Sequence, residues 1–507
     1  MAAITQNTLR VSAAKKFVSK VGVQNNVIYA FLGKSLPWTN ENSPPLPLNW
    51  VQSTIDAYDD MLYLKRIIPN DVSQVIRRND WKRNYVYETY VHNAELFNPS
   101  RGVLPFYVVT DEGNVYKCIN NAFGKPSRNK PTGRSSNIFS TGDGYLWKYM
   151  YTVTVDLDKF SSNEFIPVKS TGSVGATDYG IEHIQIVDAG SGYTGTTLSL
   201  TISGTGTNCQ AYAVLKSGSI TEVIITNRGS GYRSAVVTVP APPTGGTQAV
   251  LSAIISPPGG HGSNPPDELG GHFVTMIARF IRDENSKFSV SNDFRKIGLI
   301  ENPKDYLLGT ALTTDALSQT VNLKFSSVIG TGFTLDEIVT GSISGKTGRV
   351  VDYATDTQIL RLSNLSGHFY PGEQVIGATS STQAYLDIGT GASGVAQGGG
   401  INTITLANSA PIDLQLSGFS TVIRISSGKG VGQVKVISSY DPNTKVATIL
   451  DFWDYTLIPD TTSNYVIGYI KYPDIQLDSG NLLFVEHRRP NSRAIEQIEE
   501  VKITIEF

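Results

Sequence analysis

Cysteine is almost missing from this chain: Cys118 and Cys209 are the whole supply in 507 residues. Two thiols so far apart build no disulfide framework, so the sequence reads as one folded in a reducing cytosol. Methionine is nearly as scarce, at four residues. Charge is thin too: 17% of residues carry one, and the formal net charge is −2. A general nucleic-acid binder needs a basic excess or a basic stripe, and neither is present. The longest basic cluster, Arg77-Arg78-Asn79-Asp80-Trp81-Lys82-Arg83, is local and reads as a solvated or partner-facing strip. No stretch of about 18 apolar residues exists to cross a membrane. The opening Met1-Ala2-Ala3-Ile4-Thr5 has no basic region followed by an apolar run, so no secretory signal is expected.

What is present is strand and turn chemistry. Hydrophobic residues make up 40%, with 48 glycines, 24 prolines and 24 tyrosines. That mixture favours short strands and tight turns over long helices, in a chain long enough for two to four domains. Two internal repeats stand out. Ala189-Gly190-Ser191-Gly192-Tyr193 returns 39 residues later as Arg228-Gly229-Ser230-Gly231-Tyr232. Phe333-Thr-Leu-Asp-Glu337-Ile-Val-Thr-Gly341 returns 36 residues later as Phe369-Tyr-Pro-Gly-Glu373-Gln-Val-Ile-Gly377. Self-similarity at a fixed spacing marks stacked supersecondary units, which supply surface and reach rather than chemistry.

Along the chain, a short helix is expected within Val11–Val21, a buried strand at Val27–Leu32, and a rigid extended loop at Ser43-Pro44-Pro45-Leu46-Pro47. Ser53–Leu64 reads as a helix with Ser53 as cap and Ile55, Tyr58, Met61 and Leu62 on one face. Strands are expected at Tyr85–Val91, Phe106–Thr110, Val115–Ile119 and Tyr145–Val155, with a hairpin turn at Asp111–Asn114. Past Ser170, β-branched runs alternate with glycine-rich turns. A longer strand is expected at Phe273–Ile281. Gly389–Gly400 reads as a loose linker. Val501–Phe507 alternates apolar and polar residues and is expected to be tied into a sheet.

Candidate catalytic and binding groups weigh lightly. Gly341-Ser-Ile-Ser-Gly345-Lys346-Thr347 has three residues where a phosphate loop needs four, and reads as a turn in a β repeat. Among the six histidines, no pair has the spacing of a helical zinc site. His261 and His272, flanking Asp267 and Glu268, are the one group placed to close on a metal, and loop polarity explains them as well. Asp156 and Asp158 begin like a calcium loop, but Phe160 stands at the next ligand position. There is no nucleophile elbow before a helix. The Gly-Ser-Gly-Tyr turns read instead as tight turns with positive φ and the tyrosine packed across. Asp59-Asp60 and Glu499-Glu500 read as surface pairs. Trp38, Trp50, Trp81, Trp147 and Trp453 read as core or interface residues rather than a sugar platform. No catalytic residue, cofactor or metal is expected.

Six segments in order carry a resemblance. They are Phe31-Leu-Gly33-Lys34-Ser-Leu-Pro37-Trp38, Ile76–Trp81, Gly142-Asp143-Gly144-Tyr145-Leu-Trp147-Lys-Tyr149, Asn163–Val168, Phe294–Pro303, and Ser479–Pro490 closed by the Gln497–Phe507 strand. In this order the chain resembles the gene-eight-type baseplate wedge subunits of T-even-like contractile-tailed phages, over roughly residues 1–170, 255–305 and 470–507. It departs in reading Arg-Arg-Asn-Asp-Trp, one residue longer than the family's pattern, and in Phe165 where tyrosine is common. The resemblance implies a mainly β fold: a layered β-sandwich body with helix-bearing loops, plus inserted small β repeat modules. The expected body is 1–170 with 253–310 and 470–507, and the inserted modules are 171–252, 311–395 and 396–469. It further implies no catalysis, a homodimer, other wedge subunits as partners, and a place in the virion tail after assembly in bacterial cytoplasm. Trp38, Arg77, Arg78, Trp81, Trp147, Arg488 and Arg489 are the candidate interface residues. The alternative is a glycan-binding or glycan-cleaving tail protein, with the inserted modules as candidates for host-surface glycan contact. Its mark is a pocket with aromatic rings beside two carboxylates.

Overall fold

The computed structural model describes residues 6–23, 26–94, 96–97, 105–169, 179–243, 245–281, 288–289, 293–389, 392–492 and 498–507. The fold is mainly β, with several sheets and a few short helices. No helix among the described residues is long and apolar enough to cross a membrane. Two compact units are formed. The first gathers Met1–Lys20, Pro69–Ile277 and Lys502–Phe507, the second Val21–Ile68 and Ala278–Val501.

In the first unit two four-stranded sheets share a core. One runs in the order Glu499–Glu506, Phe273–Phe280, Val72–Arg77, Phe165–Pro167; the other Tyr107–Val109, Asn114–Asn120, Leu146–Thr152, Phe139–Ser140. Ile76 and Ile166 from the one sheet pack with Tyr107, Val115 and Tyr151 from the other, as in a β-sandwich. Strand Asn114–Asn120 is buried on both faces because Val115 joins this core while Tyr116 and Cys118 join a second, aromatic one around Trp147. The terminal strand is tied into the sheet, as its alternation predicts. The hairpin at Asp111–Asn114 forms with Gly113 at φ 72°.

Two expectations fail here for physical reasons. Tyr85–Val91 is not a strand: its one ladder contact is the isolated bridge Tyr85–Ser127. Its backbone is satisfied elsewhere, with the Tyr90 amide on the Cys118 carbonyl and the Tyr87 carbonyl on Asn121 Nδ2. The helix expected over Ser53–Leu64 runs Val51–Asp60, with Trp50 as an N-cap that makes no side-chain bond. Met61–Ile67 becomes a strand paired on both sides, by Ile28–Gly33 and Ala316–Ser318. Neighbouring strands override the helical pattern. Those three strands sit in a five-stranded sheet completed by Phe294–Glu301 and Asn481–Asn491, and all six residues of Ile28–Gly33 are buried.

The first repeat pair builds a module by reciprocal exchange. Thr207–Lys216 pairs with Ser219–Ser230, and Val250–Ile255 pairs with Ile181–Asp188, so each copy's last strand lies on the other copy's first. The Gly-Ser-Gly-Tyr turns make this close. Gly190 and Gly192 have φ of 63° and 78°, Gly229 and Gly231 of 61° and 75°. A Cβ on Gly190 would collide with the backbone of Thr247 and Ala249, and one on Gly229 with that of Thr207 and Cys209. The tyrosines complete the exchange. Tyr193 Oη accepts from the Ala249 amide at 2.8 Å, and Tyr232 Oη from the Cys209 amide at 3.2 Å. Residues 171–178, at the expected start of this module, lie outside the described residues.

The second pair closes a ring of six strands: Val321–Ile329, Ile359–Ser363, Thr347–Ala354, Ile338–Gly341, Gln374–Gly377 and Gln383–Leu386, which returns to Val321–Ile329. Every recurring residue has a task. Phe333, Phe369, Val339 and Val375 pack in the ring's core. Glu373 reaches across to the other copy's turn and accepts from the amides of Ile343 (3.0 Å) and Ser344 (2.8 Å) and from Ser344 Oγ (2.9 Å). Glu337 does the same for Thr379 (2.8 Å), Ser380 (2.9 Å) and Ser380 Oγ (2.7 Å). Gly341 and Gly377 lack a Cβ because the partner copy's carboxylate occupies that space.

Strand Asn464–Lys471 extends this sheet to Ser420–Ser427, Val434–Asp441, Val446–Ile449, Thr403–Thr405 and Gly398–Gly400, over a separate core that includes Trp453. The linker expected at Gly389–Gly400 is largely strand: Ser393–Val395 pairs with Asn464–Lys471, and Gly398–Gly400 with Thr403–Thr405. Residues 390 and 391 lie outside the described residues. These glycines allow close approach rather than looseness, since a Cβ on Gly399 would strike the Pro459 carbonyl.

Candidate functional site

The arginine motif sits in the first unit, where strand Val72–Arg77 ends. The Arg78 amide bonds the Glu164 carbonyl at 2.7 Å, and Asn79 and Trp81 bracket Val109 through backbone bonds of 2.8 and 2.9 Å. The Arg77 guanidinium lies 4.6 Å from the Phe165 ring centre and 4.8 Å from that of Phe273, with Glu164 at 3.4 Å. Arg78 pairs with Asp80 at 2.9 Å, and Trp81 Nε1 donates to Ser127 Oγ at 3.2 Å. Together with Val109, Asp111 and Lys130, Arg78 and Trp81 line a shallow cleft. Trp147 is elsewhere: it is fully buried, stacked 5.4 Å from Tyr145 and edge-on to Tyr87. A side chain with no exposed surface offers nothing to a partner, so Trp147 holds the core.

The Gly142–Tyr149 motif is likewise internal carpentry. Asp143 accepts from the amides of Arg128 (2.6 Å) and Asn129 (2.9 Å), and from Thr141 Oγ1 (2.5 Å). Burial pushes its carboxyl up, but these bonds and the Tyr145 amide outweigh it and hold the group below the ordinary value. It ties the 127–129 loop to the 141–145 turn.

The groups that resembled chemistry do not assemble it. Gly341–Thr347 does form a cradle of amides, but Glu373 already fills it. An internal carboxylate stands where a phosphate would need to sit. His261 and His272 diverge. His272 lies 3.6 Å from Glu506. His261 lies 4.0 Å from Glu268, whose carboxylate is taken by Lys117 at 2.5 Å and by the amides of Gly262 and Asn264. Lys117 and Glu268 are almost wholly buried, with Tyr90 against the ammonium at 4.2 Å. Burial and the charges of Lys117 and Lys148 pull His261 well below its usual pKa, so it is neutral. Among the described residues no group of three or more His, Cys, Asp or Glu could hold a metal ion.

The second unit holds a cleft of about 740 Å³. Its wall is the strap from Trp38 to Trp50, and the candidate residues from the last motif pin that strap down. Trp38 Nε1 donates to the Arg488 carbonyl at 2.8 Å, His487 Nδ1 meets the Pro45 carbonyl at 2.8 Å, and Arg489 Nε donates to the Asn42 carbonyl at 3.1 Å. Buried Arg295 holds Glu41 at 2.9 Å. His487 and Lys34 lie against the Trp38 ring. Opposite, helix Val51–Asp60 presents Asp56, Asp59 and Asp60. Lys296 takes Asp60 at 2.6 Å. Partial burial, Asp60, Asp478 and Asp56 raise the Asp59 carboxyl above its ordinary value. The residues that sequence reasoning missed are the strap's outward leucines: Leu46 is 83% exposed, with Leu48 near it and Trp50, already a core-or-interface candidate, 60% exposed beside them. The signal available was large apolar residues among prolines, which fix the loop but do not say which way it faces.

The chain is mainly β, its motifs brace its own loops and modules, and the open cleft of its second unit is apolar at one end and acidic at the other. It is similar to baseplate wedge protein gp8 of Enterobacteria phage T4, with 25% identity over 202 residues, covering 33% of this chain and 60% of that protein. The chain thus matches less than two thirds of the length of this curated relative. No family model matches it.

Proposed function

We propose that the chain is a structural subunit of the baseplate wedge of a contractile phage tail. In this role it pairs with a second copy, binds neighbouring wedge proteins during assembly, and passes on the rearrangement of the plate when the tail contracts. The similarity to the T4 wedge protein carries the reading. The structure supports it in kind: the arginine and Gly-Asp-Gly-Tyr motifs set loops rigidly, as surfaces that must fit partners without reorganising require. The stretches 171–252, 311–395 and 396–469 belong to the reading as projections toward neighbouring plate proteins, solvent or host glycans. The protein's place is then the virion tail, after assembly in bacterial cytoplasm.

The test is localisation. Tails purified from the source phage, stripped into sub-assemblies and analysed by mass spectrometry, contain the chain in the baseplate fraction. Gold-labelled antibody marks the end of the tail distal to the head. Light scattering of the purified chain gives twice the 54.9 kDa chain mass. Tails that lack the chain overturn the reading.

A further inference from the structure

We propose that the cleft under the Trp38–Trp50 strap docks a segment of another protein that carries aliphatic side chains together with a lysine or arginine. The inference deepens the assembly role and rests on it for the protein nature of the occupant. Three observations point the same way. First, Leu46, Leu48, Trp50 and Val51 are each more than half exposed, and the first three line the cleft mouth. Isolated exposed apolar residues are ordinary, but a run of large ones rimming a cleft marks a contact site. Second, that run is preset. Pro44, Pro45 and Pro47 restrict the backbone leading into it, and His487, Arg489 and Arg295 hold the strap just before it, at Pro45, Asn42 and Glu41. A partner loses little ordering entropy by binding it. Third, the far end is short of positive charge. Asp56, Asp59 and Asp60 lie on the last two turns of helix Val51–Asp60, where the helix dipole already disfavours anions and the last turn itself carries no basic residue. Lys296 is engaged with Asp60, and Asp478 adds a fourth carboxylate near Asp59. An arriving ammonium or guanidinium relieves that crowding.

The cleft does place aromatic rings beside two carboxylates, the mark set for a glycan site. The aliphatic rim argues against a sugar. The Leu46 and Leu48 side chains offer no hydrogen-bond partner to ring hydroxyls, and Trp38, with His487 and Lys34 against it, is not an open platform. Trp50 remains as one exposed indole, where it serves a protein contact equally well.

The experiment uses the full chain within its native assembly. A photoreactive p-benzoylphenylalanine replaces Leu48 in phage-producing cells, particles are irradiated, and cross-linked peptides are sequenced. The expected result is a single adduct with another protein, through a peptide holding aliphatic residues and at least one lysine or arginine. Adding Asp56→Lys and Asp59→Lys cuts the adduct at least tenfold, while Asp56→Asn with Asp59→Asn cuts it less. Circular dichroism confirms that each variant is folded. Reversing the partner's basic residue to glutamate restores the adduct to the lysine variant. No adduct, an adduct to saccharide or to the chain itself, or indifference to the charge changes overturns the inference. An adduct to a protein foreign to tails keeps the docking groove and removes the baseplate reading. Baseplates that contain the chain but give no adduct do the reverse.

Discussion

Glu337 offers the sharpest test of how the six-stranded module holds its two copies together. Its carboxylate accepts from the Thr379 and Ser380 amides, from Ser380 Oγ and, on its own side, from the Thr334 amide at 2.6 Å. The residue is 5% exposed. Replacing it with alanine leaves three amides and a hydroxyl without an acceptor. Hydrogen bonds to a charged group are worth about 1.5–3 kcal/mol each, but water entering the vacated space recovers part of that. A net loss of about 3 kcal/mol is expected, at about 1.4 kcal/mol per tenfold, or roughly a hundredfold faster hydrogen exchange at Thr379 and Ser380. The effect is local: the twin turn at Ile343–Ser344, held by Glu373, exchanges as before. Gly377→Ala should open the same turn, because its Cβ would sit 2.8 Å from Glu337 Oε2. The pH dependence has a definite sign. Burial lifts the Glu337 carboxyl, but the bonds from Ser380, Thr334 and Thr379 outweigh it and hold the group below its ordinary value. The stabilisation is therefore full above the usual glutamate range, near ~4.3, and is lost as pH falls through the lower folded value. Glu337→Gln removes that acid step. Unchanged protection at 379 and 380 in Glu337→Ala, or equal acceleration throughout the module, refutes the cross-copy clasp.

Three further outcomes follow from the same reasoning. Tyr193→Phe and Tyr232→Phe each leave a backbone amide, of Ala249 and Cys209, without its acceptor and should each cost about 1–2 kcal/mol of unfolding free energy in denaturant titration, whereas Tyr212→Phe, whose hydroxyl makes no such bond among the described residues, should cost little. Lys117→Met leaves the Glu268 carboxylate buried without its cation and should cost about 3–5 kcal/mol; the double variant with Glu268→Gln should recover part of it, and a double variant worse than the single one contradicts the pairing. For Asp143 the folded carboxyl is held low, so its contribution is present above the ordinary aspartate range near ~3.9 and disappears as pH falls through the folded value; Asp143→Asn should cost about 1–2 kcal/mol at pH 7 and flatten that acid limb in thermal melts.

Much of the architecture was legible because repeats declare their own period. Both pairs of motifs fell on the residues that join the copies: Gly190 with Gly229, Tyr193 with Tyr232, Glu337 with Glu373. What the sequence could not say was where those residues reach. The tyrosine was expected to pack across its own hairpin; it satisfies an amide 56 positions away at Ala249, a long-range fact with no local trace. The helix over Val51–Asp60 was recognised, yet its end was misplaced, because Met61 and Leu62 fit a helical face and a buried strand equally well and the strands beside them decided. Gly389–Gly400 misled in the opposite direction. Glycine allows both looseness and close approach, and here Ser393–Val395 and Gly398–Gly400 pair as strands.

The candidate interface residues separate two kinds of signal that a surface for assembly carries. Tryptophans and arginines are distinctive in sequence, and in this fold several of them brace a surface rather than form it. Trp38 and Arg489 pin the strap, Arg488 lends it only a backbone carbonyl and pairs its side chain with Glu486, Arg77 lies against two phenylalanines, and Trp147 is core. The outward residues Leu46, Leu48 and Val51 look like any core residue until the prolines around them are seen to run along the surface. Substituting a brace therefore confounds two effects: Arg489→Ala frees the Asn42 carbonyl and loosens the strap, so a partner is lost through disorder as readily as through contact. Leu48→Ala on the exposed side removes contact area while leaving each pinning bond in place. If Leu48→Ala weakens assembly with no change in melting temperature, the outward strap is the contact. If only Arg489→Ala does so, and its melting temperature falls with it, the strap is architecture and the partner binds elsewhere.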